Sequence, residues 1–132
     1  MDLNDVELME TLPKGIIVDS NIKNLDKFGY SFALSGIDFE TCVTYSCVKE
    51  VVRFSPIKLI ISEIEFVGGN IADIVNLSRT SEKFFKVMIW TDKKVSITDE
   101  ILEKTGIAGY IIKNQPFDEI LQIVNELMSP KK

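Results

Sequence analysis

Four short apolar runs, each ended by a single polar residue, frame this chain. Gly15-Ile-Ile-Val18 ends at Asp19, and Leu59-Ile-Ile-Ser62 ends at Glu63. Val87-Met-Ile-Trp90 ends at Thr91, and Tyr110-Ile-Ile112 ends at Lys113. Unalternating apolar runs are what the central strands of a parallel sheet require, because helices cover both faces. A fifth stretch, Asp38 to Thr44, alternates β-branched and aromatic residues with polar ones, which suits a sheet edge.

Helical patterns fill the gaps between these strands. The first follows Asp19-Ser20-Asn21, with Ile22, Leu25, Phe28 and Phe32 as its apolar face and Gly36 as its end. The second spans about Cys47 to Phe54, where Ser55-Pro56 stops it. A Gly68-Gly69 break precedes the third, which starts at Asn70 as N-cap and buries Ile71, Ile74 and Val75. The fourth runs from about Thr98 to Thr105, with Ser96 and Asp99 as a capping pair. The fifth opens at Pro116 and carries the clearest stripe: Phe117, Ile120, Leu121, Val124, Leu127 and Met128. Five strands alternating with five helices predict an α/β fold, a parallel sheet with right-handed crossovers.

A length of 132 residues fits one domain. The domain is expected over residues 13–129, after an acidic lead-in at 1–12 and before a tail or linker start at 130–132. No apolar run approaches the roughly 20 residues of a membrane helix. The acidic start Met-Asp-Leu-Asn-Asp-Val-Glu does not resemble a signal peptide. The expectation is a soluble, cytoplasmic protein without membrane contact. A formal charge of −5 argues against binding nucleic acid through its phosphates. The chain has no histidine, which excludes histidine bases and histidine-ligated metals. Cys42 and Cys47 match neither a redox Cys-x-x-Cys nor a zinc knuckle, and are expected to be small buried or half-buried thiols.

Ligands of open α/β sheets bind beyond the carboxyl ends of the strands. The loop after the first strand, Val18-Asp-Ser-Asn-Ile-Lys-Asn24, has no glycine to cradle phosphates, which excludes dinucleotide, flavin-phosphate and P-loop sites. Asp19, Glu63, Thr91 and Lys113 remain. Two carboxylates can hold a hard divalent cation, a lysine can neutralise them or an added phosphoryl group, and a hydroxyl can respond to the charge present. Taken singly, each is an ordinary start of a loop.

In this order the motifs resemble the receiver domains of two-component response regulators, CheY-like in fold. Ile16-Ile-Val-Asp19 is similar to the family's first strand and acidic end. Leu59-Ile-Ile-Ser-Glu63 falls where the phosphoacceptor strand lies. Met88-Ile-Trp-Thr91 is similar to the strand with the switch hydroxyl, and Gly109-Tyr-Ile-Ile-Lys113 to the strand with the aromatic switch residue and lysine. The resemblance covers residues 14 to about 128. It implies a flavodoxin-like, doubly wound sheet of strand order 2-1-3-4-5. Its switch residues are Thr91, Tyr110 and Lys113, and its metal ligands are Asp19, Glu63 and the carbonyl of Glu65.

Departures from the family pattern decide the expected function. Glu63 stands at the phosphoacceptor position in place of aspartate. Ser20 replaces the second acidic residue, Val67 a proline, Asp92 a small residue and Asn114 the proline after the lysine. A glutamate reaches about 1.5 Å further than an aspartate, and a misplacement of about that size costs a positioned reaction roughly a hundredfold. Losing a carboxylate weakens a hard-cation site. Asp92 would add a charge that repels phosphoryl oxygens by about 4 kcal/mol at ~4 Å and an effective dielectric of about 20. Glu63 can instead reach toward Lys113 and Thr91, imitating a phosphorylated aspartate in part.

The resemblance therefore implies an atypical receiver, or pseudo-receiver, that is not an enzyme, needs no cofactor and acts by contact with a protein partner or output domain. The face of the fourth helix, fifth strand and fifth helix, with Lys104, Ile107, Tyr110, Asn114 and Gln115, is where the family makes partner or homodimer contacts. Two alternatives stay open. One is a conventional receiver with Mg²⁺-dependent phosphorylation, and the other is a doubly wound module that senses a small ligand. Trp90 is expected to be a core residue beside the site.

Overall fold

The computed structural model describes residues 14–81, 84–92 and 99–128. The acidic lead-in, Ser96, Thr98 and the tail lie outside the described residues, and so does the expected capping pair of Ser96 with Asp99.

Chain order is β1 (Lys14–Val18), α1 (Ile22–Leu34), β2 (Asp38–Cys42), α2 (Tyr45–Phe54), β3 (Leu59–Ser62), β4 (Glu65–Phe66), β5 (Gly69–Asn70), α3 (Ile71–Thr80), β6 (Lys86–Thr91), α4 (Asp99–Thr105), β7 (Tyr110–Ile112) and α5 (Phe117–Met128). Five strands form one parallel sheet of order β2-β1-β3-β6-β7. This is the doubly wound order that the resemblance to receiver domains implies, with β6 and β7 as its fourth and fifth strands.

Alternation along the strands splits the core into two layers. Ile17, Leu59, Ile61, Met88, Trp90 and Ile111 pack against Leu25, Phe28 and Phe32 of α1 and Ile120, Val124 and Met128 of α5. Ile16, Val18, Ile60, Val87 and Ile89 pack against Val48 and Val52 of α2, Ile74 and Val75 of α3, and Ile107. Gly15 is where β1 is pressed hardest: an added Cβ would lie 2.3 Å from the Phe39 ring and 2.8 Å from the Leu59 carbonyl oxygen.

The structure corrects four expectations. Ile22 is exposed, because it opens α1 at the lip of the sheet rather than over it. Ile107 is buried, so it belongs to the core and not to an outward docking face. The strand from Asp38 ends at Cys42, and α2 starts at Tyr45, two residues before the expected start. That early start puts Cys47 on the first turn of α2, above the end of β2. Cys42 and Cys47 are joined there as a disulfide, with Cα atoms 5.6 Å apart, rather than standing as separate thiols.

The Gly68-Gly69 break is also more than a break. Glu65–Phe66 and Gly69–Asn70 pair antiparallel as a small hairpin. Gly68, at the second turn position, has φ +82°, which favours glycine. Asn70 then caps α3 in a reciprocal capping box with Asp73.

Candidate functional site

Register brings the strand ends together. Val18 pairs with Ser62, and Ser62 with Ile89. The ladder runs one residue further at each end: Asp19 N donates to Cys42 O at 3.1 Å, Glu63 N to Val18 O at 3.1 Å and Lys113 N to Thr91 O at 2.7 Å. Asp19, Glu63 and Lys113 are thus fixed by backbone bonds before their side chains are considered.

Those side chains close on one another. Lys113 Nζ lies 2.7 Å from Asp19 Oδ2 and 2.8 Å from Glu63 Oε2. Asp19 is fully buried and Lys113 nearly so. Asp19 Oδ2 also accepts from Trp90 Nε1 at 3.1 Å and from Asn24 Nδ2 at 3.4 Å, and Oδ1 accepts from Asn21 N at 2.8 Å. Glu63 Oε1 accepts from Ser20 N at 2.7 Å and from Ser20 Oγ at 2.9 Å. Both carboxylates therefore have both oxygens engaged. Among the described residues, every buried side-chain nitrogen and oxygen has a partner.

Electrostatics favour the charged lysine. Burial by itself lowers the Lys113 pKa, but hydrogen bonds to Asp19 and Glu63, with the charges of both, outweigh it and hold the ammonium above the ordinary lysine value of 10.5. The ammonium also lies 5.9 Å from the centre of the Trp90 ring, within cation–π range. Trp90 itself is wedged edge-on against Phe28, with ring centroids 4.7 Å apart.

Three of the four strand-end residues singled out by sequence form the cluster, and Trp90 joins them in place of Thr91. Alternation explains the exchange. Asp19, Glu63, Trp90 and Lys113 continue the series that faces α1 and α5, whereas half-buried Thr91 continues the series of Ile89. Ser20, read in sequence only as a missing carboxylate, supplies two donors to Glu63. Glu65 is exposed on β4, Asp92 is exposed after β6 and Tyr110 is half-buried on edge strand β7.

On the face expected to meet partners, Lys104 is exposed and pairs with Glu100 at 3.1 Å, and Asn114 is exposed. Gln115 is half-buried; its Oε1 accepts from Ile112 N at 3.0 Å.

Comparison with solved structures matches this architecture over nearly the whole chain. The chemotaxis response regulator CheY4 of Vibrio cholerae superposes with a TM-score of 0.77 at 17% identity, covering 89% of this chain and 99% of that one. The fold is that of response regulator receiver domains. The non-phosphorylated HemR receiver domain of Leptospira biflexa gives a TM-score of 0.75 at 18% identity, over 91% of this chain and 97% of that one. The beryllofluoride-activated NtrC4 receiver domain dimer gives 0.74 at 13% identity, over 87% and 95%. At such identities the likeness to the receiver fold is one of architecture. No family model matches the sequence, and no curated protein matches it. Among the described residues, no helix is long and apolar enough to cross a membrane.

Proposed function

We propose that this chain is an atypical receiver module that signals without phosphorylation, through contact with a protein partner or an output domain. The observation that supports this reading is the full engagement of Glu63. One oxygen holds Lys113, and the other takes both donors of Ser20. A glutamate so placed sets its own contact with the strand-end lysine, a contact that a phosphoryl oxygen would otherwise make. Three donors, an ammonium, an amide and a hydroxyl, stabilise the Glu63 carboxylate and lower its nucleophilicity.

A Mg²⁺ ion, which the fold family implies, does not fit these residues. Such an ion demands near-octahedral oxygen ligation. Asp19 is committed to Lys113, Trp90, Asn21 and Asn24, and Ser20 offers a hydroxyl in place of a carboxylate. Among the described residues, no group of three or more carboxylate or thiol side chains gathers that could hold a metal. The proposed mode of action accordingly uses no cofactor and no catalytic step.

The partner surface we assign is α4, β7 and α5, with Lys104, Tyr110, Asn114 and Gln115 and without buried Ile107. NtrC4, of similar fold, was solved as a dimer. Two measurements test the reading. Incubation with Mg²⁺ and acetyl phosphate should leave the intact mass unchanged, and a stoichiometric gain of one phosphoryl group on Glu63 would refute it. Lys104→Glu with Tyr110→Ala should abolish self-association or partner capture; unaltered sedimentation and capture would remove this face from the account.

A further inference from the structure

Cys42 and Cys47 take no part in the ionic cluster, yet they hold one of its neighbours in place. Cys42 closes β2 and is buried beside Ile16, Val18 and Val48; Cys47 is half-buried on the first turn of α2. The same turn carries two other ties. Cys47 N donates to Thr44 Oγ1 at 3.1 Å, and Thr44 and Val67 form a parallel bridge in which Tyr45 N donates to Val67 O at 3.1 Å. Val67 is the turn of the β4–β5 hairpin, which begins two residues after Glu63. One covalent bond therefore braces the turn on which the hairpin rests.

We propose that Cys42 and Cys47 form a reversible thiol–disulfide site that exchanges with dithiols, and that its state sets how firmly the β4–β5 hairpin docks. The Cα separation of 5.6 Å lies in the range that a disulfide spans without backbone movement. The bond closes a loop of sequence separation 5, and short loops gain least from cross-linking in the chain-entropy account. Partly exposed disulfides are the labile ones. Cys47 is the more exposed residue of the pair, and its place in the first turn of a ten-residue helix favours its thiolate.

The exchange balances as follows. A thiolate of the reductant attacks Cys47 Sγ, and the bond to Cys42 breaks. The electron pair leaves on Cys42 Sγ, which takes a proton. The reductant's second thiol then attacks its own sulfur in the mixed disulfide, releasing Cys47 as thiolate. The reductant departs as a disulfide, having given two electrons. A disulfide oxidant reverses each step.

The test uses the full chain, equilibrated in mixtures of reduced and oxidised dithiothreitol, quenched with N-ethylmaleimide and weighed intact. The expected result is one transition from unalkylated to doubly alkylated chain. Amide exchange in residues 64–70 should be about tenfold faster in the reduced state. Two alkylated cysteines in the most oxidising mixture, none in the most reducing, or identical exchange in both states would overturn the proposal. In Cys42→Ser, Cys47 should capture oxidised glutathione; in Cys47→Ser, buried Cys42 should not. The opposite pattern would overturn the assignment of Cys47 as the attacked sulfur. None of these outcomes depends on whether Glu63 can be phosphorylated.

Discussion

Lys113 balances two carboxylates from inside the fold, and both depend on it. Replacing it by methionine keeps the stem but leaves Asp19, fully buried, beside Glu63 without the ammonium between them. Breaking a buried pair in this way costs about 3–5 kcal/mol. Urea denaturation of Lys113→Met should show that loss, and a change below about 1 kcal/mol would contradict the geometry. The pH dependence follows from the direction of the shift. Because the Lys113 pKa is raised in the folded state, its contribution is fully present below the ordinary value of 10.5 and is lost as pH rises through the folded value. Wild type should therefore lose stability in strong alkali by a component that Lys113→Met lacks. Asp19, Glu63 and Lys113 were legible in sequence because each ends an apolar run. Trp90 was legible as a core residue beside the site, as it proves to be, but its polar role was not, because an indole closing such a run looks like any core residue. Its N–H finds Asp19 only once the strands are paired and their alternation is in phase. Ser20 was legible only in part for a related reason: sequence shows the carboxylate it lacks, not the donors it presents to a longer neighbour.

At the scale of elements, the segment between β3 and α3 differs most from its expectation. Two-residue strands are too short to show any period, so β4 and β5 were invisible, and Gly68-Gly69 read as a plain break. The Asn70 cap was legible, because asparagine before an apolar helical stripe is a start signal. Asn70→Ala should lower stability by about 1 kcal/mol, since it removes half of the capping box with Asp73. Gly15→Ala should cost more, because its Cβ would meet both the Phe39 ring and the backbone of β3. Thermal unfolding ranks the two, and the reverse order would show that β1 can yield where the geometry says it cannot. The β2–α2 corner shows how a small boundary error hides chemistry. With α2 expected from Cys47, the two sulfurs had no reason to meet. With α2 starting at Tyr45, the helix turns Cys47 back over Cys42.

For the whole molecule, a parallel α/β sheet was readable from unalternating strands that alternate with amphipathic helices, whereas its strand order was legible only through the resemblance to receiver domains. That same order carries the strand ends to one edge of the sheet. The chain has the receiver fold, and at its strand ends an ammonium, an indole N–H, an amide and a hydroxyl engage the two carboxylates. Trp90 reports directly on the strand-end site because its indole N–H bonds to Asp19. The measurement is Trp90 fluorescence during titration with Mg²⁺ and then with beryllofluoride, a phosphoryl mimic. A site closed by Lys113, Trp90 and Ser20 predicts no saturable change with either. A saturable response to Mg²⁺ followed by a second response to beryllofluoride would contradict it, and would mean that Asp19 and Glu63 open to receive a metal and a phosphoryl group.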